Sequence, residues 1–230
     1  PLAKISNYLQ KATIAVEDQN FYEHNGIEIS AIFRAVRNNL KNGDLLSGQG
    51  GSTITQQVIK NALLTREKTI SRKLKEWVLA PRLEKVLSKE QILESYLNEI
   101  PYGGSVYGIE EASHRFYGKS ALDLTLAEAA YLAALPQAPT YFSPYGSNLP
   151  KLEDRKNYVL DRMLDSEFIT ATEHDAAQKT VVTFQKPEAY GIKASHFVMY
   201  IIEQLEKEYG KEMVENGGLR VTTTLDWELQ

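Results

Sequence analysis

The acidic pair Glu17-Asp18 ends an apolar stretch and precedes Gln19-Asn20-Phe21-Tyr22-Glu23-His24-Asn25-Gly26. A carboxylate at a helix end, beside aromatic rings, is placed for a raised pKa and for taking a proton; the same residues also suit a solvated acidic turn. The next segment with chemical content is Gly50-Gly51-Ser52-Thr53-Ile54-Thr55-Gln56-Gln57-Val58-Ile59-Lys60-Asn61. Its glycines let backbone approach a ligand, its hydroxyls and amides offer hydrogen bonds, and Lys60 adds a point charge suited to phosphate. No Gly-Lys-Ser or Gly-Lys-Thr follows, so this is not a P-loop, and a polar loop entering a capped helix is the other reading. Further on, Arg72, Lys75 and Glu76 share one helical face, which Lys68 joins if the helix starts early. One carboxylate among several cations suits a pyrophosphate or a metal–phosphate group; it equally suits a solvated basic face with an Arg72–Glu76 ion pair. Glu94 and Asn98 share a later face, followed by Gly103, Gly104, Gly108, Arg115 and Tyr117. These make either a sugar-binding wall or ordinary helix packing with a glycine turn.

Composition narrows the classes. With 43% apolar and 24% charged residues over 230 positions, the chain reads as globular, either one sizeable domain or one with an appendage. A formal net charge of -4 argues against a nucleic-acid partner. The absence of cysteine excludes disulfides, zinc–thiolate sites and thiol nucleophiles. The four histidines lack His-x-x-x-His spacing, and there is no Gly-x-Ser-x-Gly elbow. No apolar run reaches the length of a membrane span. The chain begins at Pro1, so it is expected to be part of something longer, with any anchor upstream.

The elements that must position these residues are mostly helical. Ile5, Leu9, Ala12 and Val16 fall on one face of a first helix that Ser6 is placed to cap. Ile29 to Leu40 has helical spacing, and Asn42-Gly43-Asp44 then punctuates the chain. Ser71 to Leu87 reads as a helix with Leu74, Val78, Leu83 and Leu87 inward, kinked or broken at Pro81. Capping boxes at Ser88/Gln91 and Thr125/Glu128 open helices that run to about Ile100 and to Leu135, with Pro136 beyond. Ser195 to Tyr209 is a further helix, and Val181 to Phe184 and Leu219 to Leu225 read as strands.

In this order, the segments resemble the five signature motifs of the peptidoglycan glycosyltransferases, the glycosyltransferase domain of penicillin-binding proteins. The matches are Glu17-Asp18-x-x-Phe21-x-x-His24-x-Gly26; Gly51-Ser52-Thr53-Ile54-Thr55-Gln56-Gln57-x-x-Lys60-Asn61; and Arg72-Lys73-x-x-Glu76. They continue with Ile92-Leu93-Glu94-x-Tyr96-Leu97-Asn98 and with Leu126-x-Glu128-x-Ala130-x-Leu132-Ala133-x-Leu135-Pro136-x-x-Pro139. Gly218 to Asp226 resembles the segment joining this domain to a transpeptidase in bifunctional members.

The resemblance implies a mainly α fold: a lysozyme-like helical lobe, a smaller membrane-facing jaw lobe around Ile32 to Leu46, and a short α/β linker tail. Residues 1–165 would be the glycosyltransferase domain, and 166–230 a helical extension and the start of a linker toward an absent transpeptidase domain. Arg34, Arg37 and Lys41 alternate with apolar jaw positions, a pattern suited to anionic lipid heads or to an ordinary amphipathic helix. The implied reaction polymerises lipid II into β-1,4-linked glycan with inversion and release of polyprenyl pyrophosphate. Glu17 would be the base. Lys60, Lys68, Arg72 and Lys75 would neutralise the leaving group, Ser52, Gln56, Gln57 and Asn98 would bind substrate, and Glu76 would orient these groups or hold a divalent cation (Mg or Mn). No organic cofactor is implied. The expected partners are lipid II, the growing glycan, the membrane surface, the transpeptidase domain and moenomycin-type inhibitors. The expected location is the outer face of the bacterial cytoplasmic membrane. The alternatives are a lytic glycan-cleaving enzyme of similar fold, or a non-catalytic envelope scaffold.

Overall fold

Helical periodicity in the sequence becomes a helical lobe in the computed structural model, which describes residues 1–28, 51–62, 64, 69–186, 195–210, 213–214 and 218–226. The expected jaw, residues 32–46, lies outside the described residues, as does Lys68. In chain order the helices are α1 (Asn7–Glu17), α2 (Ile54–Ala62), α3 (Ile70–Leu83), α4 (Lys89–Glu99) and α5 (Ile109–Tyr117). They continue with α6 (Leu126–Ala134), α7 (Leu149–Asp165), α8 (Ala171–Lys179) and α9 (Ser195–Tyr209). Among the described residues the only sheet is a two-stranded antiparallel ribbon of β1 (Pro101–Gly103) and β2 (Val106–Tyr107).

The core forms around α6. Its sequence, Leu-Ala-Glu-Ala-Ala-Tyr-Leu-Ala-Ala, is apolar on nearly every face, so it is buried on nearly every face, and its alanines let neighbouring helices approach closely. α1 and α7 lie against it, contributing Leu9, Ala12 and Ile14 from one side and Leu152, Val159 and Met163 from the other. Thr125 and Glu128 cap α6 reciprocally, Ser88 and Gln91 cap α4, and Thr170 and Glu173 cap α8 in the same way.

Three local expectations are corrected. Ser6 stands at the start of α1, but its hydroxyl does not cap the helix; it donates to the Leu124 carbonyl at 3.0 Å and ties α1 to the segment before α6. In α3 the inward residues are not Leu74 and Val78, which are 52% and 55% exposed. The helix instead turns Glu76 and Ala80 inward, because the cations around Glu76 satisfy its charge. Finally, residues 181–184 and 219–225 form no strand. Val182 and Phe184 lie on the core, the Gln185 N–H donates to the Phe116 carbonyl, and the Phe184 ring stacks on Tyr117 and meets Tyr131 edge-on. The run before Gln185 is thus held by side-chain packing and one backbone hydrogen bond rather than by a partner strand.

Pro1–Gln185 forms one compact unit, and Lys186–Gln230, carrying α9, forms a second. Among the described residues no helix is long and apolar enough to cross a membrane.

Candidate active site

Glu17 is the last residue of α1, and Asp18 leaves helical geometry at φ -159°. The Asp18 carboxylate accepts from the Ile54 backbone N–H at 2.9 Å, where the start of α2 favours a negative charge. It also pairs with His24 Nε2 at 2.9 and 3.0 Å. The Gly26 N–H donates to His24 Nδ1 at 3.1 Å, which puts the ring proton on Nε2, facing Asp18. Gly26 has φ +85°, and a Cβ there would sit 2.7 Å from the Ala80 carbonyl carbon, so only glycine lets the turn dock against α3 beside Pro81. Asp18 therefore spends its charge on pinning the 18–26 turn, and Glu17 is the carboxylate presented to the cleft.

That cleft, about 180 Å³, is walled by Glu17 and Asp18, by Gly51, Ser52 and Thr53 ahead of α2, and by Tyr158 and Arg162 of α7. Gln57 Nε2 donates to Glu17 Oε2 at 2.7 Å. Burial raises the Glu17 pKa above its ordinary value; the Gln57 hydrogen bond, Arg155 and Lys60 oppose that, and Asp18 adds to it. Fully buried Tyr96 and Tyr102 back the carboxylate, and burial and then the Glu17 charge push both phenols well above their ordinary range.

Lys60 follows Gln57 by three residues on the same face of α2. Burial lowers its pKa, while Glu76 and then Glu17 raise it, so this ammonium lies within electrostatic reach of both carboxylates. Glu76 is 2% exposed. Its Oε1 is 3.2 Å from Arg72 Nε and its Oε2 accepts from Lys73 Nζ at 2.8 Å. Lys73 also donates to Ser52 Oγ at 2.6 Å, which brings the α3 cations to the cleft mouth. The result is one general-base candidate beside three cations and one structural counter-charge, an arrangement fit for an anionic leaving group.

Most of the sequence-predicted residues thus meet: Glu17, Ser52, Gln57, Lys60, Arg72 and Glu76. Three do not. Gln56 is turned inward, its Oε1 accepting from the Thr53 N–H while the Thr53 hydroxyl accepts from the Gln56 N–H, a reciprocal cap on α2. Lys75 is exposed on α3. Asn98 folds onto its own helix, donating to the Glu94 carbonyl at 2.7 Å. Its backbone carbonyl would be 2.6 Å from a Cβ on Gly108 (φ +77°), so its neighbourhood is a helix-to-helix close approach.

The sequence reading missed Lys73, although it lies inside a quoted motif, because spacing alone did not separate Lys73 from Lys75. It also missed Arg155, Tyr158 and Arg162. These stand at i, i+3 and i+7 on α7, in a row that flanks the apolar stripe of Leu152, Val159 and Met163, and that periodicity was the available signal. Arg155 lies 4.8 Å from the Tyr158 ring centroid. Its pKa is lowered by burial and raised by Glu17.

A family model described as Transglycosylase matches residues 1–164. The chain is 40% identical to penicillin-binding protein 1A of Aquifex aeolicus, over 99% of this chain and 31% of that protein. It is 39% identical to penicillin-binding protein 1F of Bacillus subtilis, over 99% of this chain and 32% of that protein. The chain thus spans about a third of the length of these curated relatives. Among solved structures it resembles penicillin-binding protein 1A from Haemophilus influenzae with a TM-score of 0.51 and 25% identity, covering 93% of this chain and 21% of that one. Helical architecture, the Glu17 cleft with its cations, and these likenesses agree: the chain belongs to the transglycosylase family.

Proposed function

We propose that the chain is the peptidoglycan glycosyltransferase part of a longer cell-wall enzyme, polymerising lipid II on the outer face of the cytoplasmic membrane. The observation that carries this reading is the cleft that Glu17 and Ser52 share: Gln57 donates to Glu17 there, and Lys73 joins Ser52 to the Glu76–Arg72 cluster, a candidate base and an anion-neutralising group at one site.

In the step this supports, Glu17 begins ionised. The 4-hydroxyl of an incoming disaccharide attacks the anomeric carbon of the donor from the face opposite its pyrophosphate, and its proton passes to Glu17. The anomeric C–O bond breaks with its electron pair going to the pyrophosphate, whose charge Lys60, Arg72 and Lys73 offset. One displacement gives inversion and needs no covalent sugar–enzyme bond. Burial makes Glu17 a stronger base than an exposed glutamate, and Gln57 keeps the charged form populated.

The donor set at Glu76 does not fit a dedicated divalent cation: it is a single buried carboxylate, already paired with Arg72 and Lys73. No step is routed through a metal there. A lytic enzyme is not favoured, because its leaving group is a sugar and the cation cluster would have no task.

The test is incubation of the purified protein with lipid II. Glycan strands and released polyprenyl pyrophosphate are expected, and Glu17→Gln should abolish both while leaving the fold intact. Cleavage of uncharged glycan strands with no extension of lipid II would replace this reading with the lytic one.

A further inference from the structure

We propose that Lys89, fixed by Glu84, is a positioning residue that holds the 18–26 turn and through it the Glu17 carboxylate; this rests on the glycosyltransferase reading above. Lys89 is the first residue of α4, where the positive end of the helix dipole disfavours a cation, so its charge must be matched from outside the helix. Its ammonium lies 2.8 Å from Glu84 Oε1, donates to the His24 carbonyl at 2.6 Å and stands 4.6 Å from the centroid of the Phe21 ring. The Glu84 side chain is 7% exposed, and the same Oε1 accepts from the Thr55 hydroxyl at 2.5 Å.

One nearly dry ion pair therefore joins the end of α3, the first turn of α4, the first turn of α2 and the backbone of the turn that follows Glu17. The turn is held at its start by Asp18 on Ile54 and toward its far end by Lys89 on the His24 carbonyl, beside which the Thr53 hydroxyl donates to the Gly26 carbonyl at 2.7 Å. Phe21, completely buried, is clamped between these holds. Neither Lys89 nor Glu84 lines the cleft, so both act through the turn and not on substrate. A carbonyl and a carboxylate taken out of water stabilise this geometry only while the ammonium satisfies them.

The test is steady-state kinetics on lipid II across pH for the wild type, Lys89→Met and Lys89→Arg. Methionine keeps the stem and removes the charge. The expected result for Lys89→Met is a fall in kcat of about tenfold, with KM within roughly twofold, because a slightly misplaced base slows chemistry without weakening binding. The acid limb of kcat/KM should also move to lower pH as water reaches Glu17, whose charged and titratable neighbours, Asp18, Lys60, Arg155, Tyr96 and Tyr102, all remain in the variant. Lys89→Arg should recover most of kcat. A folded Lys89→Met with wild-type kcat and acid limb overturns the proposal, as does a loss confined to KM. If Lys89→Met fails to fold, Glu84→Gln is read by the same criteria. An inactive wild type overturns both this and the glycosyltransferase reading, whereas an active wild type with an unaffected Lys89→Met overturns the positioning role alone.

Discussion

Gln57 Nε2 stands 2.7 Å from Glu17 Oε2, so the side chain that steadies this carboxylate also sets how readily it ionises. The hydrogen bond favours the charged form against the burial that opposes it. Replacing Gln57 with methionine removes the donor and leaves burial unopposed at that oxygen. The Glu17 pKa should then rise further, and the acid limb of kcat/KM should move to higher pH. A limb that stays in place or moves down in a pH–rate series would show that Gln57 does not govern Glu17.

The same burial has a consequence for stability. A carboxyl whose folded pKa is raised binds its proton more tightly in the folded state, so its favourable contribution exists below the unfolded pKa and is lost as pH rises through the folded one. At neutral pH, Glu17 therefore weakens the fold. Glu17→Gln should raise the melting temperature by up to a few degrees at pH 7.5, with the gain shrinking as pH falls through the raised folded pKa toward the ordinary glutamate range. Thermal unfolding of the two proteins across pH checks this, and a lowered melting temperature at pH 7.5 contradicts it.

Lys73 and Lys75 are two positions apart, yet one is bonded to Glu76 and Ser52 and the other is exposed. Lys73→Met should lower kcat on lipid II by roughly tenfold to a hundredfold, the scale expected for losing one preorganised charge on a leaving group. Lys75→Met should stay within about twofold, as exposed charges away from a site do. Equal effects would mean that both cations meet the substrate.

Gly26→Ala should be harmful although it adds a single methyl group. Its Cβ would clash with the Ala80 carbonyl at a φ of +85°, forcing apart the turn and α3. A loss of about 2 kcal/mol or more, read by denaturant unfolding, is expected from strain and overlap together. A variant of wild-type stability would mean that the turn and α3 separate freely.

Much of this was legible in the sequence. The capping boxes at Ser88 and Thr125 marked where α4 and α6 begin, and the motif around Glu17 marked a carboxylate that lines the cleft. Facing was harder to read. Hydrophobic periodicity put Leu74 and Val78 inside α3, but a buried carboxylate ringed by cations outweighed two aliphatic side chains. Gln56 and Gln57 are adjacent and chemically identical, and only the backbone geometry at the start of α2 sends one to cap Thr53 and the other to Glu17. The runs near 181 and 219 have the composition of strands, but composition does not supply a partner strand.

The packed lobe runs to Gln185, beyond residue 164 where the family match ends. Phe184 fills the space against Tyr117 and Tyr131 that a chain cut at the family boundary would leave bare. The span of the family match and the mechanical integrity of the lobe therefore end at different residues, and a truncation that respects only the first would keep every residue of the Glu17 cleft and still produce a sticky, poorly folded protein.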